Sequence, residues 1–259
     1  MLLTVDIGNT NVVLGLFDDR GESQGDLRIG TRRDATLGEI SIVVSHLCRR
    51  LDGGERAITR AILCSVVPPL TRTFSEFVRG ELGLEPVVIS AEMDLGVPVA
   101  VDDPREVGAD RIANAVAARE LVGAPAIVVD LGTATNFDVI DPEGRYVGGV
   151  IAPGVETSAE DLFRRAARLT KVDFVFPERI IGRNTRDCLR AGILDGAVGM
   201  IDALVDRIRE EIGASGTTIA TGGLAPLIGP RCRTIDRIEV GLTLRGLLVI
   251  DRRLRAAAG

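Results

Sequence analysis

At 259 residues, with 46% hydrophobic and 26% charged residues, the chain has the composition of a folded protein of one large or two medium domains. A net charge of -6 and the lack of any basic stripe argue against a nucleic-acid partner. Lys171 is the only lysine, so no Walker A loop exists; the four cysteines (Cys48, Cys64, Cys188 and Cys232) form no CxxC pair and read as buried thiols. No apolar run approaches the ~18 residues of a membrane helix and the N-terminus has no basic leader, so a cytoplasmic protein is expected.

In chain order, LLTVDIG, NVVLGLFDDRG and DLRIGT predict three consecutive strands with a turn at Asp18 to Gly21. Ile40, Val43, Val44, Leu47 and Leu51 recur at helical spacing and predict a helix ending before Gly53 and Gly54. AILCSVV then reads as a buried strand, TRTFSEFVRGEL as a helix with a threonine cap, and PVVIS as another strand. A proline- and acid-containing segment leads into EVGADRIANAVAARELV, a helix packed on one face through Ile112, Val116 and Leu121. After Gly123 the order restarts. APAIVVDLGT, NFDVID and RYVGGVIAPG predict three strands, with a turn at Asp141 to Gly144. Ser158 is expected to begin a helix over SAEDLFRRAARL, and Ile193, Val198, Ile201, Leu204, Val205 and Ile208 mark a long amphipathic one. TTIATGG predicts a strand and GLTLRGLLVIDRRLRAAA a closing helix.

VDIGNTN at Val5 to Asn11 and VDLGTAT at Val129 to Thr135 therefore belong to a larger internal repeat. The expected organisation is an α/β fold of two βββαβα copies, residues 1–122 and 123–259, facing each other across a cleft. Glycine turns without bulky side chains let backbone N–H groups approach phosphate, and Asn9, Thr10, Thr133 and Thr135 add possible hydrogen bonds. Asp6 and Asp130 would repel bare phosphate, so a cation between carboxylate and ligand is implied. Either aspartate alone reads equally well as a turn cap. In GADR, Asp110 is of the right type to take a hydroxyl proton during phosphoryl transfer, and Arg111 offers a fork for a carboxylate or phosphoryl oxygen. Taken alone, the same pair is an ordinary first helical turn with its aspartate on the dipole.

DIGNT and DLGTAT resemble the two phosphate motifs of the superfamily of acetate and sugar kinases, actin and chaperone ATPases. The ordered set DIGNTN, PREVGADRIANA, VVDLGTATNFDVID, GGVIAPGV, IGRNT and TGGLA resembles the type III pantothenate kinases over almost the whole chain. The resemblance implies duplicated ribonuclease H-like (actin-like ATPase) domains and ATP-dependent phosphorylation of pantothenate, the first step towards coenzyme A. It implies that Asp6, Ile7, Gly8, Asn9, Thr10, Asn11, Val12 and Val13 wrap the ATP phosphates, with Asp6 near magnesium, and that Thr133 contacts phosphate. Asp130 would hold a monovalent cation, potassium or ammonium. Gly108, Ala109, Asp110 and Arg111 would form the pantothenate site with Asp110 as base, Thr185 would be a further substrate contact, and the enzyme would be a homodimer. Asn136 and Val101 depart from the family pattern, which commonly has threonine and an aromatic residue there. The alternative is a catalytically silent paralogue that binds nucleotide or pantothenate as a regulator.

Overall fold

The computed structural model describes residues 1–49, 54–166 and 168–258; Leu51, Gly53 and Ala167, which fall in two of the expected helices or at their ends, lie outside them. Two compact units emerge, Met1–Glu120 with Leu242–Gly259, and Leu121–Gly241.

In the first unit, β1 (Leu2–Ile7) and β2 (Asn11–Phe17) form an antiparallel hairpin, and β3 (Ser23–Gly30) continues the meander. The turn after β2 forms because Asp18 accepts the backbone N–H groups of Arg20 and Glu22, both at 2.9 Å. Helix α1 (Leu37–Cys48) starts with a capping box between Thr36 and Glu39. β4 (Arg60–Ser65) returns parallel to β1, α2 (Pro68–Gly80) follows, and β5 (Val87–Val88) completes the order β3-β2-β1-β4-β5. α2 begins at its prolines rather than at the expected threonine cap, because proline fixes the φ of a first helical turn and needs no N–H there. Thr71 instead donates its hydroxyl to Ser65 Oγ at 2.7 Å. Leu3, Val5, Ile7, Leu14, Leu63, Phe74 and Phe77 pack this sheet against α1 and α2, each buried side chain contributing about 1.5–3 kcal/mol relative to exposure. α3 (Ala109–Val122) begins within GADR and is buried along most of its length.

The second unit repeats the plan. β6 (Ala126–Leu131), β7 (Ala134–Ile140) and β8 (Tyr146–Pro153) match β1, β2 and β3, and β6 and β7 carry the same residue-by-residue burial as β1 and β2. α4 (Val155–Arg165) starts three residues before the expected Ser158, whose N–H bonds the carbonyl of Gly154, the extended N-cap. The long amphipathic helix is divided into α5 (Thr185–Arg190), a π-helical turn at Ala191–Asp195, and α6 (Gly196–Ile212). β9 (Thr217–Thr221) pairs parallel with β6, α7 (Ala225–Ile228) follows, and β10 (Arg237–Ile238) lies outermost, giving β10-β9-β6-β7-β8. Read from the meander edge, the two sheets have one topology.

The expected boundary assigns the closing helix to the second half, whereas α8 (Leu242–Ala258) groups with the first unit. It crosses β1, β2 and β4. A Cβ on Gly246 would stand 2.0 Å from the Ala113 carbonyl oxygen of α3, and Thr243 Oγ1 donates to Asn114 Oδ1 at 2.9 Å. The bare glycine allows the close helix approach, and Asp251 receives Arg60 of β4 at 3.4 Å.

Candidate active site

The first turn is folded on itself: Gly8 N–H donates to the Asn11 carbonyl at 2.9 Å, and Thr31 ties the tip down from β3's end, its N–H to the Thr10 carbonyl and its hydroxyl to the Gly8 carbonyl at 2.6 Å. Asn9 and Thr10 are exposed at the tip, and Asp6 is half-buried at the strand end. Ile7 and Val12 are core residues, so a bound nucleotide would meet only their backbone.

Parallel pairing of β1 with β4 sets Cys64 opposite Asp6, and the Cys64 thiol donates to Asp6 Oδ1 at 3.3 Å. Burial, then the negative charges of Asp6 and Asp110, push this thiol well above its ordinary range. Two aspartates 104 positions apart in sequence thus disfavour the charge of one buried thiol.

Asp110 sits in the first turn of α3, its Oδ1 accepting the Arg111 N–H at 2.9 Å. Its carboxyl group is held above the usual carboxylate range by burial, which outweighs the opposing N–H and guanidinium of Arg111. A Cβ on Gly108 would stand 2.4 Å from Asp110 Oδ1, so the bare glycine leaves that carboxylate its position. Ala109 is buried, leaving its backbone as its accessible contribution. A desolvated carboxylate at a helix start, with an arginine beside it, is suited to accept a proton from an alcohol.

The second turn has the same internal bond, Gly132 N–H to the Ala134 carbonyl at 3.0 Å, and Gly132 and Thr133 are exposed. Its supports differ. Thr157 of α4 donates its hydroxyl to the Thr133 carbonyl at 2.8 Å, and Gly154 lies so close that a Cβ would stand 2.1 Å from the same oxygen. Asp130 is half-buried; a Cβ on Gly222, which follows β9 with φ +90°, would come within 2.6 Å of Asp130 Oδ1 and of the Leu131 carbonyl oxygen. Thr135 does not meet the expectation of a phosphate contact: it lies fully buried within β7, so its hydroxyl is turned into the unit. Asn136 stands directly opposite Asp130 in the β6–β7 register.

Thr185 is exposed at the first position of α5, a helix capped by Asn184, whose side chain accepts the Asp187 N–H at 2.9 Å. Cys48, Cys64 and Cys232 are buried as expected, but Cys188 is exposed. His46, the one histidine, is exposed in the last turn of α1. Among the described residues, no group of three or more His, Cys, Asp or Glu side chains could hold a metal ion, and no helix is long and apolar enough to cross a membrane. Sequence reasoning gave no site role to Thr31, Cys64 and Thr157, which are selected by partners distant in sequence; Gly154 and Gly222 lay within the GGVIAPGV and TGGLA motifs.

Two sheets of one topology, each opening with an aspartate before a glycine turn, define the duplicated ribonuclease H-like class to which actin-like ATPases and sugar kinases belong. The fold is shared with the activator of the 2-hydroxyisocaproyl-CoA dehydratase from Clostridium difficile, solved with bound ADPNP, at a TM-score of 0.55 and 10% identity over 99% of this chain and 97% of that one. Within that class the chain belongs to the type III pantothenate kinase family, whose model matches residues 2–207. Its sequence is 45% identical to the type III pantothenate kinase of Thermomicrobium roseum over 259 residues, covering 100% of both chains. It is 44% identical to that of Moorella thermoacetica, over 98% of this chain and 99% of that one.

Proposed function

We propose that the chain transfers the γ-phosphoryl group of ATP to the primary hydroxyl of pantothenate, with Asp110 as the base. The observation that carries this reading is the match of residues 2–207 to the type III pantothenate kinases, with an exposed glycine turn after Asp6 and an Asp110 carboxyl group that burial holds above its usual range in the same unit. The exposed tip residues Asn9 and Thr10, with the backbone of Asp6 to Val13, bind ATP phosphates, and Thr133, exposed at the second turn, is a phosphate contact. Arg111 pairs with the pantothenate carboxylate, and Gly108 and Ala109 let the substrate approach the helix start. Thr185 adds a further substrate contact.

In the transfer, the hydroxyl oxygen forms a bond to the γ-phosphorus as the bond from that phosphorus to the β,γ-bridging oxygen breaks. The hydroxyl proton passes to Asp110, and ADP leaves. Asp110 also orients the hydroxyl, and both roles together are worth about 10²- to 10⁴-fold in rate. A half-buried Asp6 beside a phosphate turn fits magnesium, which commonly takes one or two carboxylates and completes its shell with phosphate and water. When bound, magnesium supplies charge neutralisation on the β- and γ-phosphates. Asp130, in a cradle that a Cβ at Gly222 would fill and beside the Leu131 carbonyl, offers the oxygen donors that suit potassium or ammonium. We further infer a cytoplasmic homodimer; exposed Ile180 and Ile181 favour an apolar contact between copies.

A coupled assay of ADP release, with pantothenate, magnesium and either potassium or sodium, tests the reading. Pantothenate-dependent turnover in potassium, reduced in sodium, is expected. Absence of pantothenate-dependent turnover in potassium would sink it.

A further inference from the structure

We infer that Thr31 is a positioning residue, whose hydroxyl holds the Gly8 carbonyl and so directs the Asn9 N–H towards phosphate. The inference rests on the first turn binding ATP phosphates, as proposed above. Thr31 is half-buried directly after β3; its N–H donates to the Thr10 carbonyl at 2.9 Å and its hydroxyl to the Gly8 carbonyl at 2.6 Å. A trans peptide carries its C=O and N–H on opposite sides. The Gly8 carbonyl, drawn towards Thr31, therefore turns the Asn9 N–H away from it, at a tip where Asn9 is exposed. This peptide plane needs an outside anchor. Flipping it changes ψ of a glycine and φ of an asparagine, residue types that accept a left-handed backbone readily, so the local sequence does not fix the side that the N–H faces. Among the described residues no φ is positive except at glycines, so Asn9 stands in one of the two orientations, the one that Thr31 holds.

The second copy meets the same need from another element. Gly154 directly follows the β8 residue that pairs with the start of β7, as Thr31 follows the β3 residue that pairs with the start of β2. The matching place thus has no hydroxyl, and Thr157 of α4 donates one to the Thr133 carbonyl at 2.8 Å instead. A threonine hydroxyl on a turn carbonyl recurs although its source has changed, which makes it a requirement of the turn rather than an accident of β3.

Amide-resolved NMR titrations of the protein with ADP and with adenosine, magnesium present and pantothenate absent, test the role. Thr31→Val removes the donor at nearly constant shape; Thr31→Ala serves if the valine variant does not fold; Thr31→Ser keeps the hydroxyl. The valine or alanine variant is expected to bind ADP about 3- to 10-fold more weakly, the scale of one hydrogen bond. Adenosine affinity is expected to stay parental, because that ligand has no phosphate, and serine to recover most of the loss. Parental ADP affinity in the valine and alanine variants, an equal loss for adenosine, or a serine variant as weak as valine would overturn the role of Thr31. The parent separates the underlying reading. An Asn9 amide resonance that ADP leaves unmoved takes phosphate away from the first turn, and the role of Thr31 with it; one that moves, beside undiminished ADP affinity in the valine variant, strikes Thr31 alone.

Discussion

Asp110 is held in two ways that pull against each other. Burial makes its charged form costly, whereas transfer of a hydroxyl proton requires that form. Because its folded-state pKa is raised, its contribution to stability is present at low pH and is lost as pH rises through that pKa. At neutral pH the ionised carboxylate therefore costs stability. Asp110→Asn is accordingly expected to melt at or above the parental temperature while turnover falls by roughly 10²-fold or more, with nucleotide affinity near parental; near-full activity would remove Asp110 from the role of base. In the parent, the rate should fall as pH drops through the raised carboxyl pKa, and this acid limb should be absent from the residual activity of the asparagine variant. At this scale the sequence was informative wherever chemistry and spacing coincide, as in DIGNT, DLGTAT and GADR. Cys64 carried no such signal, because its partner lies on the neighbouring strand and a register between strands is not written in either strand alone.

The two turns are built alike and supported differently. Thr31 fastens the first turn from the end of β3, whereas the second is fastened by Thr157 of α4 and hemmed in by glycines at 154 and 222. Gly222→Ala would meet Leu131 backbone at 2.6 Å, and its φ of +90° suits glycine alone. We expect this variant to lose more than about 1 kcal/mol of stability, seen as a lowered melting temperature, and to lose the preference for potassium over sodium in the assay. A parental cation preference would separate Asp130 from the monovalent cation. Strands β1 to β3 and β6 to β8 were legible because short strand-forming runs, apolar in β1, β2, β6 and β7, are bounded by turn residues. The two-residue strands β5 and β10 were too short to show alternation, and PVVIS contributes only Val87 and Val88 to its sheet. The start of α2 was hidden because proline is usually read as a breaker, although at the first helical position it is favoured.

For the molecule as a whole, the duplication was visible in sequence but the allocation of α8 was not. An amphipathic helix records that it has a buried face, not which sheet will cover it. That choice is made by fits such as Gly246 against Ala113, and Gly15, where a Cβ would stand 2.8 Å from Leu244. The buried Asp251 links α8 to Arg60 of β4 at 3.4 Å and pairs with Arg255, one turn along the same helix, at 3.1 Å. Asp251→Ala removes the carboxylate from both arginines and is expected to cost about 2 kcal/mol, measured by denaturant unfolding at neutral pH; an unchanged midpoint would mean that the apolar contacts of α8 suffice.

The return of α8 also fixes an order of events during synthesis. Every strand of the second sheet has been made by Ile238, whereas the first sheet gains its covering helix only from Leu242 onward. A growing chain emerges from the ribosome at about 5–20 residues per second, and domains fold as units. The later-encoded unit is thus the first to have all its parts, and the unit that bears Asp6 and Asp110 is completed after it.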